Sequence, residues 1–153
     1  MVKRVYYSHE MIKAFVLDIA RQMYINDWQP EYIVGINRGG LTPALMLSHF
    51  MKLPMYTLDV RLRDGDGPES NTWMAEDAYG LGYKNILIVD DINDTGDTFN
   101  YIIKNFGKED GRVKFAALIH NTPSKAEVDY HGYIIDKSKN PAWIVFPWEE
   151  WDK

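Results

Sequence analysis

Apolar residues recur along the chain in two patterns, one typical of helices and one typical of buried strands. After Ser8, a residue type that caps helices, apolar side chains recur at three- and four-residue steps as far as about Asn26. This spacing predicts a helix with one buried face. The apolar face consists of Met11, Ile12, Phe15, Val16, Ile19 and Met23. Further helices are predicted at residues 41–51 and, after a glycine-containing turn, as far as about residue 106.

Continuous apolar runs mark the predicted strands. They lie at residues 32–37, 85–91 and 113–119, with a further strand candidate at 55–62 and short candidates at 133–135 and 143–146. Because the runs are apolar at successive positions, the strands are expected to be buried on both faces. Such strands alternating with helices predict a single α/β domain with a mainly parallel twisted sheet flanked by helices. In sheets of this kind, ligands bind beyond the carboxyl ends of the strands.

The stretch from residue 63 to residue 82 departs from both patterns. It is polar, acidic and glycine-bearing, and it has no periodicity. A segment of this length without secondary structure is uncommon inside a compact domain, unless it is a lid, a binding loop or disordered. We interpret it as a mobile loop that closes over a substrate and excludes water.

Composition and charge narrow the possible functions. Hydrophobic residues make up 46% of the 153 residues, and no apolar run approaches the ~18 residues of a membrane span. The absence of cysteine excludes thiolate chemistry and fits a reducing cytoplasm, the expected location. A net charge of −5 argues against a nucleic-acid partner, and no membrane partner is expected. Backbone N–H groups and a metal ion could still bind a small polyanion.

The apolar run at residues 85–91 ends in two carboxylates, Asp90 and Asp91. Their mutual repulsion would be offset by a divalent cation or by a pair of ribose hydroxyls. The turn that follows, residues 93–98, is rich in hydroxyl groups, contains glycine and opens a helix, as phosphate-binding turns do. Taken singly, Asp94 and Thr95 could be no more than helix caps. Together, the carboxylates and the turn meet the needs of a phosphorylated ribose.

A second candidate anion site follows the strand at residues 32–37. Gly39 and Gly40 allow backbone N–H groups to approach an anion closely, and Arg38 offers a guanidinium fork to phosphate oxygens. Alone, this tripeptide would be read as a turn with a surface arginine. Its position between a core strand and a helix favours a phosphate loop.

Residues 86–99 resemble the signature of type I phosphoribosyltransferases, which bind phosphoribosyl diphosphate (PRPP). The signature has four apolar residues, two acids, two intervening residues and then Asp-Thr-Gly-x-Thr. The resemblance implies that Asp90 and Asp91 face the ribose hydroxyls, with Asp91 as the Mg²⁺ contact. It also implies that Asp94 is the general base beside the purine, and that Arg38 and Gly39 bind the pyrophosphate. The 5′-phosphate would be held by Asp94, Thr95, Gly96, Asp97 and Thr98.

The segment from Trp143 to Glu149 resembles the C-terminus of xanthine-guanine and related purine phosphoribosyltransferases. This resemblance implies a base-binding segment at about residues 133–153. Trp143 would stack on the base, the backbone of Ile144 would contact it, and Glu149 would lie near its 2-position. The alternative is that Trp143, Phe146 and Trp148 form a core plug, a role that we expect for Phe146.

Two departures from the family pattern concern base recognition and the loop. Members that bind 6-oxopurines carry a lysine after the strand equivalent to residues 113–119, and here that position falls at about Asn121. Asn121 could donate a neutral hydrogen bond to the 6-oxo group, or Lys125 could reach back to it. The arginine of the mobile loop has no clear equivalent, and Arg61 and Arg63 are earlier candidates.

The resemblance implies a pentosyltransferase of purine salvage. The enzyme would move the 5-phosphoribosyl group of PRPP to guanine, xanthine or hypoxanthine, with Mg²⁺ as cofactor, as a homodimer or homotetramer. One rival is a phospho-receiver domain, but its acidic pair belongs near the start of the domain rather than past the middle. A second is a regulatory protein that binds PRPP or nucleotide without turnover. Turnover of PRPP with a nucleobase separates that rival from the enzyme.

Overall fold

The structure, a computed structural model, describes residues 2–60, 84–106 and 112–151. Three α-helices and seven β-strands lie in these ranges, with a short 3-10 helix at Pro147–Glu149. The helices are α1 (His9–Ile25), α2 (Leu41–Met51) and α3 (Asp97–Phe106). The strands are β1 (Lys3–Tyr6), β2 (Tyr32–Ile36), β3 (Met55–Leu58), β4 (Ile86–Asn93), β5 (Val113–Asn121), β6 (Tyr130–Ile135) and β7 (Ala142–Val145).

The main sheet confirms the predicted parallel α/β architecture. Its five strands run in the order β3-β2-β4-β5-β6, and every neighbouring pair is parallel. The strand order reverses direction between β2 and β4, because β3 lies on one side of β2 while β4, β5 and β6 extend on the other. Crevices at such reversal points are where ligands bind in open α/β sheets.

Both faces of the sheet are covered, which explains why its strands are apolar at successive positions. Leu87 and Val89 of β4 point to the face that packs against α1 and α2. Ile86 and Ile88 point to the opposite face, where they join a cluster with Phe99 of α3. All four β4 side chains are fully buried. The apolar pattern of the central strand therefore fixes its register and places its polar end at the sheet edge.

Helix α1 begins and ends close to the predicted limits. The Ser8 hydroxyl accepts a hydrogen bond from the Met11 N–H at 3.2 Å, as an N-cap should. Four of the six residues of the predicted apolar face are buried, namely Ile12, Val16, Ile19 and Met23. Met11 is 40% exposed because it lies at the margin of that face.

The strands differ from the prediction in their limits, and one strand was not predicted. Strand β6 begins at Tyr130 rather than at residue 133. Strand β1 was not predicted, because three of its four residues are exposed and its only strand partner among the described residues is the short β7. Strand β3 ends at Leu58 rather than at residue 62, since β2 provides no pairing position beyond Ile36. Strands β4 and β5 extend further than predicted, because Asn93 pairs with His120 at their polar ends.

Two further expectations concern segments at the limits of the described chain. No helix among the described residues is both long and apolar enough to cross a membrane. The predicted mobile loop at residues 63–82, together with Arg61 and Arg63, lies outside those residues.

The N-cap of α1 generates a stability prediction. Replacing Ser8 with Ala removes the hydroxyl that accepts from the Met11 N–H, and we expect a loss of about 0.5–2 kcal/mol in unfolding free energy. Ser8→Asp, which keeps a capping oxygen, should stay close to the wild type. Urea denaturation followed by circular dichroism measures both variants. An unchanged midpoint for Ser8→Ala would contradict the role of this cap.

Candidate active site

Two turns face each other across the crevice between β2 and β4. One joins β2 to α2 and contains Arg38, Gly39 and Gly40, and the other joins β4 to α3 and contains residues 94–96. The turns are close because β2 and β4 are parallel neighbours whose carboxyl ends lie at the same edge of the sheet. The candidate site is therefore built where the strand order reverses.

Asp90 and Asp91 place two carboxyl groups at the polar end of β4. Asp90 Oδ1 accepts from the Asp91 N–H at 2.8 Å, and Asp91 Oδ1 accepts from the Ile92 N–H at 2.7 Å. Burial raises the pKa of Asp90 well above its ordinary value, and the charge of Asp91 raises it further. Burial also raises the pKa of Asp91, although hydrogen bonds from Asp90 and Ile92 oppose the shift. The pair is thus costly to ionise without a cation or a set of hydroxyl donors.

The donor set suits Mg²⁺ better than a metal that needs a cage of protein ligands. Both side chains offer the carboxylate oxygens that Mg²⁺ prefers. The described residues contain no cluster of three or more histidine, cysteine or acidic side chains that could hold a metal. Mg²⁺ is commonly bound by one or two carboxylates together with substrate phosphates. Asp90 and Asp91 fit that mode of binding.

The turn after β4 forms a small cavity at the start of α3. Residues 90–99 line a space of about 220 Å³. Thr95 Oγ1 accepts from the Asp97 N–H at 3.3 Å, and the first bond of the helix joins the Asn100 N–H to the Gly96 carbonyl at 3.0 Å. The amides of the first helical turn have no partner within the helix, and the residues that carry them line the cavity, as in anion sites at helix N-termini.

Gly96 is required by both backbone conformation and packing. Its φ of +92° lies in the left-handed region that glycine adopts without strain. A Cβ at this position would lie 2.5 Å from the Ala126 nitrogen and 2.7 Å from Ser124 Oγ. The loop that contains Ser124 and Ala126 packs against the turn after β4. Within this contact, the Lys125 N–H donates to the Thr95 carbonyl at 2.9 Å.

The turn after β2 packs directly on the acidic pair. A Cβ on Gly39 would overlap the Asp91 carboxylate, and one on Gly40 would overlap the Val89 carbonyl. The peptide bond between Asn37 and Arg38 is cis. Arg38 itself is exposed at the rim of the crevice. Glycine at these two positions allows the β2 turn to lie against the end of β4.

Asp94, Asn121 and Lys137 are joined by hydrogen bonds across three strand ends. Asn121 Nδ2 lies 3.0 Å from the Asp94 carbonyl and 3.2 Å from Asp94 Oδ1, and Asn121 Oδ1 accepts from the Lys137 N–H at 2.9 Å. Lys137 Nζ lies 2.9 Å from Asp94 Oδ2. Asn121 is only 6% exposed. A contact from Asn121 to a base would therefore need one of these bonds to break.

The C-terminal segment separates its aromatic residues between core and surface. Phe146 is buried and stacks on Trp148 with ring centroids 4.9 Å apart, which confirms the expected core position of Phe146. Ile144 is buried in β7, paired with Val5. Trp143 is 64% exposed and lines a groove with Val2, Lys3 and Arg4.

Glu149 connects the C-terminal segment to the acidic pair through charge. Its Oε1 accepts from the Phe146 N–H at 3.0 Å, which holds the carboxylate at the start of the 3-10 helix. From that position its charge contributes to the raised pKa of Asp91. The segment thus lies near enough to the end of β4 to act on it electrostatically.

Comparison with known proteins decides the family. The sequence profile of the phosphoribosyl transferase domain matches residues 4–152. The chain belongs to the phosphoribosyltransferase family. A hypoxanthine-guanine phosphoribosyltransferase of Schizosaccharomyces pombe is 28% identical over 97% of this chain and 90% of its own length. A xanthine-guanine phosphoribosyltransferase of Cereibacter sphaeroides is 31% identical over 76% of this chain and 68% of its own.

A solved structure has the same fold over nearly its whole length. The purine phosphoribosyltransferase of Pyrococcus horikoshii superimposes with a TM-score of 0.74 at 28% identity, covering 99% of this chain and 97% of that one. The predicted fold class and the predicted family are thereby confirmed.

The structure shows which of the residues predicted for the site lie together, and it adds one side chain that the sequence analysis did not single out. The structure brings the acidic pair, the turn at residues 94–98, Gly39 and Asn121 to one edge of the sheet. Lys137 was missed because it follows a short, partly exposed strand. Pairing of Asn121 with Ile135 places the residues after β6 beside the end of β5. The available signal was a lysine two residues beyond a strand end in a parallel sheet.

The raised pKa of Asp90 generates a prediction on stability and pH. A carboxyl whose pKa is higher in the folded than in the unfolded chain loses stability as the pH rises from about 4 through its folded pKa. Asp90→Asn removes the ionised group, so we expect a higher unfolding free energy than wild type at pH 7 and little difference near pH 4.

Urea denaturation at both pH values, without Mg²⁺ or nucleotide, tests this expectation. Asp27→Asn is the matched control, since Asp27 is exposed at a φ of 51° that asparagine also tolerates. A loss of stability at pH 7 in Asp90→Asn would count against the burial of an unfavourable charge.

Proposed function

We propose that this phosphoribosyltransferase joins a 6-oxopurine base to the ribose of PRPP, releasing pyrophosphate and a nucleoside monophosphate in purine salvage. The observation that carries the proposal is the half-buried acidic pair beside a helix-opening turn, with Gly39 packed against Asp91. The relatives described above are named for hypoxanthine, guanine, xanthine or purine substrates.

PRPP has three polar parts, and the crevice offers a counterpart to each. The ribose hydroxyls would donate to the carboxylates of Asp90 and Asp91. The 5′-phosphate would lie in the turn of Asp94, Thr95, Gly96, Asp97 and Thr98, where amides and hydroxyls converge. The pyrophosphate would lie at the β2 turn, against the Gly39 backbone and the exposed guanidinium of Arg38.

The cofactor expected at this site is Mg²⁺. Asp91 would hold it, with Asp90 beside it, because buried carboxylates with raised pKa values gain from a neighbouring cation. When bound, Mg²⁺ supplies charge neutralisation for the pyrophosphate oxygens. The protein groups would supply orientation, since Gly39 packs against the Asp91 carboxylate.

The proposed reaction replaces one bond at the anomeric carbon with another. A purine ring nitrogen forms a bond to that carbon as the bond to the pyrophosphate oxygen breaks, and positive charge develops on the sugar, as in glycoside cleavage. The leaving pyrophosphate takes the bonding electrons, and Arg38 stabilises its charge. The proton on the purine ring passes to the carboxylate of Asp94.

The base would lie toward the C-terminal segment. Trp143 has an exposed aromatic face suited to stacking on a purine, and the backbone of Ile144 adjoins it. Glu149 would approach the 2-position of the base. The expected cytoplasmic location, the homodimer or homotetramer and the loop at residues 63–82 stay predictions.

The direct test is turnover. The purified chain with Mg²⁺ and PRPP should form nucleoside monophosphate with guanine, hypoxanthine or xanthine, measured by chromatography or by pyrophosphate release. Tight binding of PRPP without product from any base would instead support the regulatory alternative. Failure to bind PRPP at all would contradict the proposed site.

The role of Asp94 generates a prediction on catalysis. Asp94→Asn retains the shape of the side chain but cannot accept the purine proton, so we expect kcat to fall about 10²- to 10⁴-fold. The Kd of PRPP should change little by comparison. Steady-state kinetics and a PRPP titration measure the two effects, with Asp27→Asn as the control. Equal loss of turnover and PRPP binding would argue against a general base at this position.

For Asp91, in contrast to Asp94, we expect a substitution to lower the affinity for PRPP. Asp91→Asn removes a charged oxygen ligand, so the affinity for PRPP in the presence of Mg²⁺ should fall about 10- to 100-fold. Without Mg²⁺ the variant and the wild type should differ much less. Calorimetric titrations at several Mg²⁺ concentrations measure the difference. A PRPP affinity that depends on Mg²⁺ as in the wild type would place the metal contact on another residue.

A further inference from the structure

Lys137 lies at the candidate active site although no sequence motif includes it. Its ammonium is 2.9 Å from Asp94 Oδ2, the carboxylate proposed to accept the purine proton. The residue follows β6, whereas Asp94 follows β4, so the contact spans two strand intervals of the sheet. The structure therefore places a cation directly beside the proposed general base.

The position of Lys137 is fixed through its backbone. Its N–H donates to Asn121 Oδ1 at 2.9 Å, and the same amide side chain holds Asp94 through Nδ2. The neighbouring Thr122 N–H donates to the Ile135 carbonyl at 2.9 Å, continuing the β5–β6 pairing. Asn121 is buried and its side chain is bonded to both residues, so it holds Lys137 and Asp94 side by side.

The ion pair is open on one side. The side chain of Asp94 is 42% exposed and that of Lys137 is 24% exposed. An ammonium has three donor positions, and a carboxylate can accept several hydrogen bonds, so each group keeps hydrogen-bonding capacity beyond their mutual contact. Together they offer a donor directly beside an acceptor.

A 6-oxopurine offers the complementary pair on one edge. Its 6-oxo acceptor adjoins N7 of the imidazole ring, and in the free base N7 can carry the proton that must be removed. We propose that Lys137 selects the base, donating to the 6-oxo group while Asp94 accepts the adjacent ring proton. Adenine carries an amino group at the 6-position. That donor would face the Lys137 ammonium, which is also a donor. This inference rests on the proposed function and names the group that decides its substrate class.

The other candidates for this contact are less well placed. The side-chain amide of Asn121 is already bonded to Asp94 and to the Lys137 backbone. The backbone of Lys125 is bonded to the Thr95 carbonyl, beneath the turn proposed for the 5′-phosphate, and its side chain is exposed. Only Lys137, among these three, presents a charged donor beside the proton acceptor.

The test compares bases that differ at the 6-position. Lys137→Met should lower kcat/KM for hypoxanthine and guanine about 10- to 100-fold, the range of a hydrogen bond to a charged group. The kcat/KM for adenine, and for purine lacking a 6-substituent, should not fall by the same factor. Lys137→Arg should retain the preference for a 6-oxo group, because the guanidinium is also a charged donor.

Lys139→Met is the matched control. Lys139 is exposed two residues further along the same turn, where its N–H donates to the Asp136 carbonyl. It should behave as the wild type with every base. Circular dichroism and urea denaturation of each variant establish that the fold is retained.

Two outcomes would overturn the inference. An equal loss with all bases would make Lys137 a residue that only positions Asp94, and an unchanged base ranking would remove it from base recognition. A binding measurement separates failure here from failure of the proposed function. In the wild type, IMP should bind more tightly than AMP by calorimetry, and Lys137→Met should reduce that ratio about tenfold or more.

The turnover assay tests the proposed enzyme activity, and the binding measurement tests the role of Lys137, so each can fail without the other. Absence of turnover in the wild type with every base would contradict the proposed enzyme, and the IMP-to-AMP affinity ratio would still decide the role of Lys137. A ratio that is the same in wild type and Lys137→Met contradicts the inference whatever the turnover.

Discussion

The candidate site depends on the burial of two carboxyl groups at the end of the central strand. Asp90 and Asp91 are partly withdrawn from water, and their raised pKa values reflect the resulting cost of ionisation. The apolar contacts of Ile86, Leu87, Ile88 and Val89 hold the strand in one register and leave these acids no alternative position. A cation or hydroxyl donors bound at the strand end would offset this cost.

The same constraint explains the glycines around the pair. Gly39 lies where any side chain would overlap the Asp91 carboxylate, and a side chain on Gly40 would overlap the Val89 carbonyl. Gly96 combines a positive φ with close contact to the loop that supports the turn after β4. The turns can therefore approach each other and a ligand through their backbones. Backbone N–H groups that converge in this way allow a chain of net negative charge to bind an anion.

Hydrogen bonds from the end of β5 and from Lys137, two residues beyond β6, join the candidate site. Asn121 is buried and joins Asp94 to Lys137, so hydrogen bonds connect the ends of β4, β5 and β6. A carboxylate held beside an ammonium is a polar arrangement with both a donor and an acceptor. That pairing differs in kind from the acidic pair of β4, where two acceptors lie together. The crevice thus presents one region suited to a metal-bound sugar phosphate and another suited to a heterocyclic base.

The sequence by itself determined the α/β architecture, because strands buried on both faces must be apolar at successive positions and helices must be apolar on one face. It also singled out Asp90 and Asp91, Asp94 to Thr98 and Arg38 to Gly40 as candidate site residues, since each group lies at or beyond the end of an apolar run. Only the tertiary structure decided the β1–β7 pairing, because short exposed strands have no apolar pattern of their own. It alone placed Lys137 against Asp94, since that contact depends on the order of strands in the sheet. The pattern of apolar and polar residues in a segment determines which of its residues must be buried. Contacts between strand ends that are distant in sequence form only when the sheet is assembled.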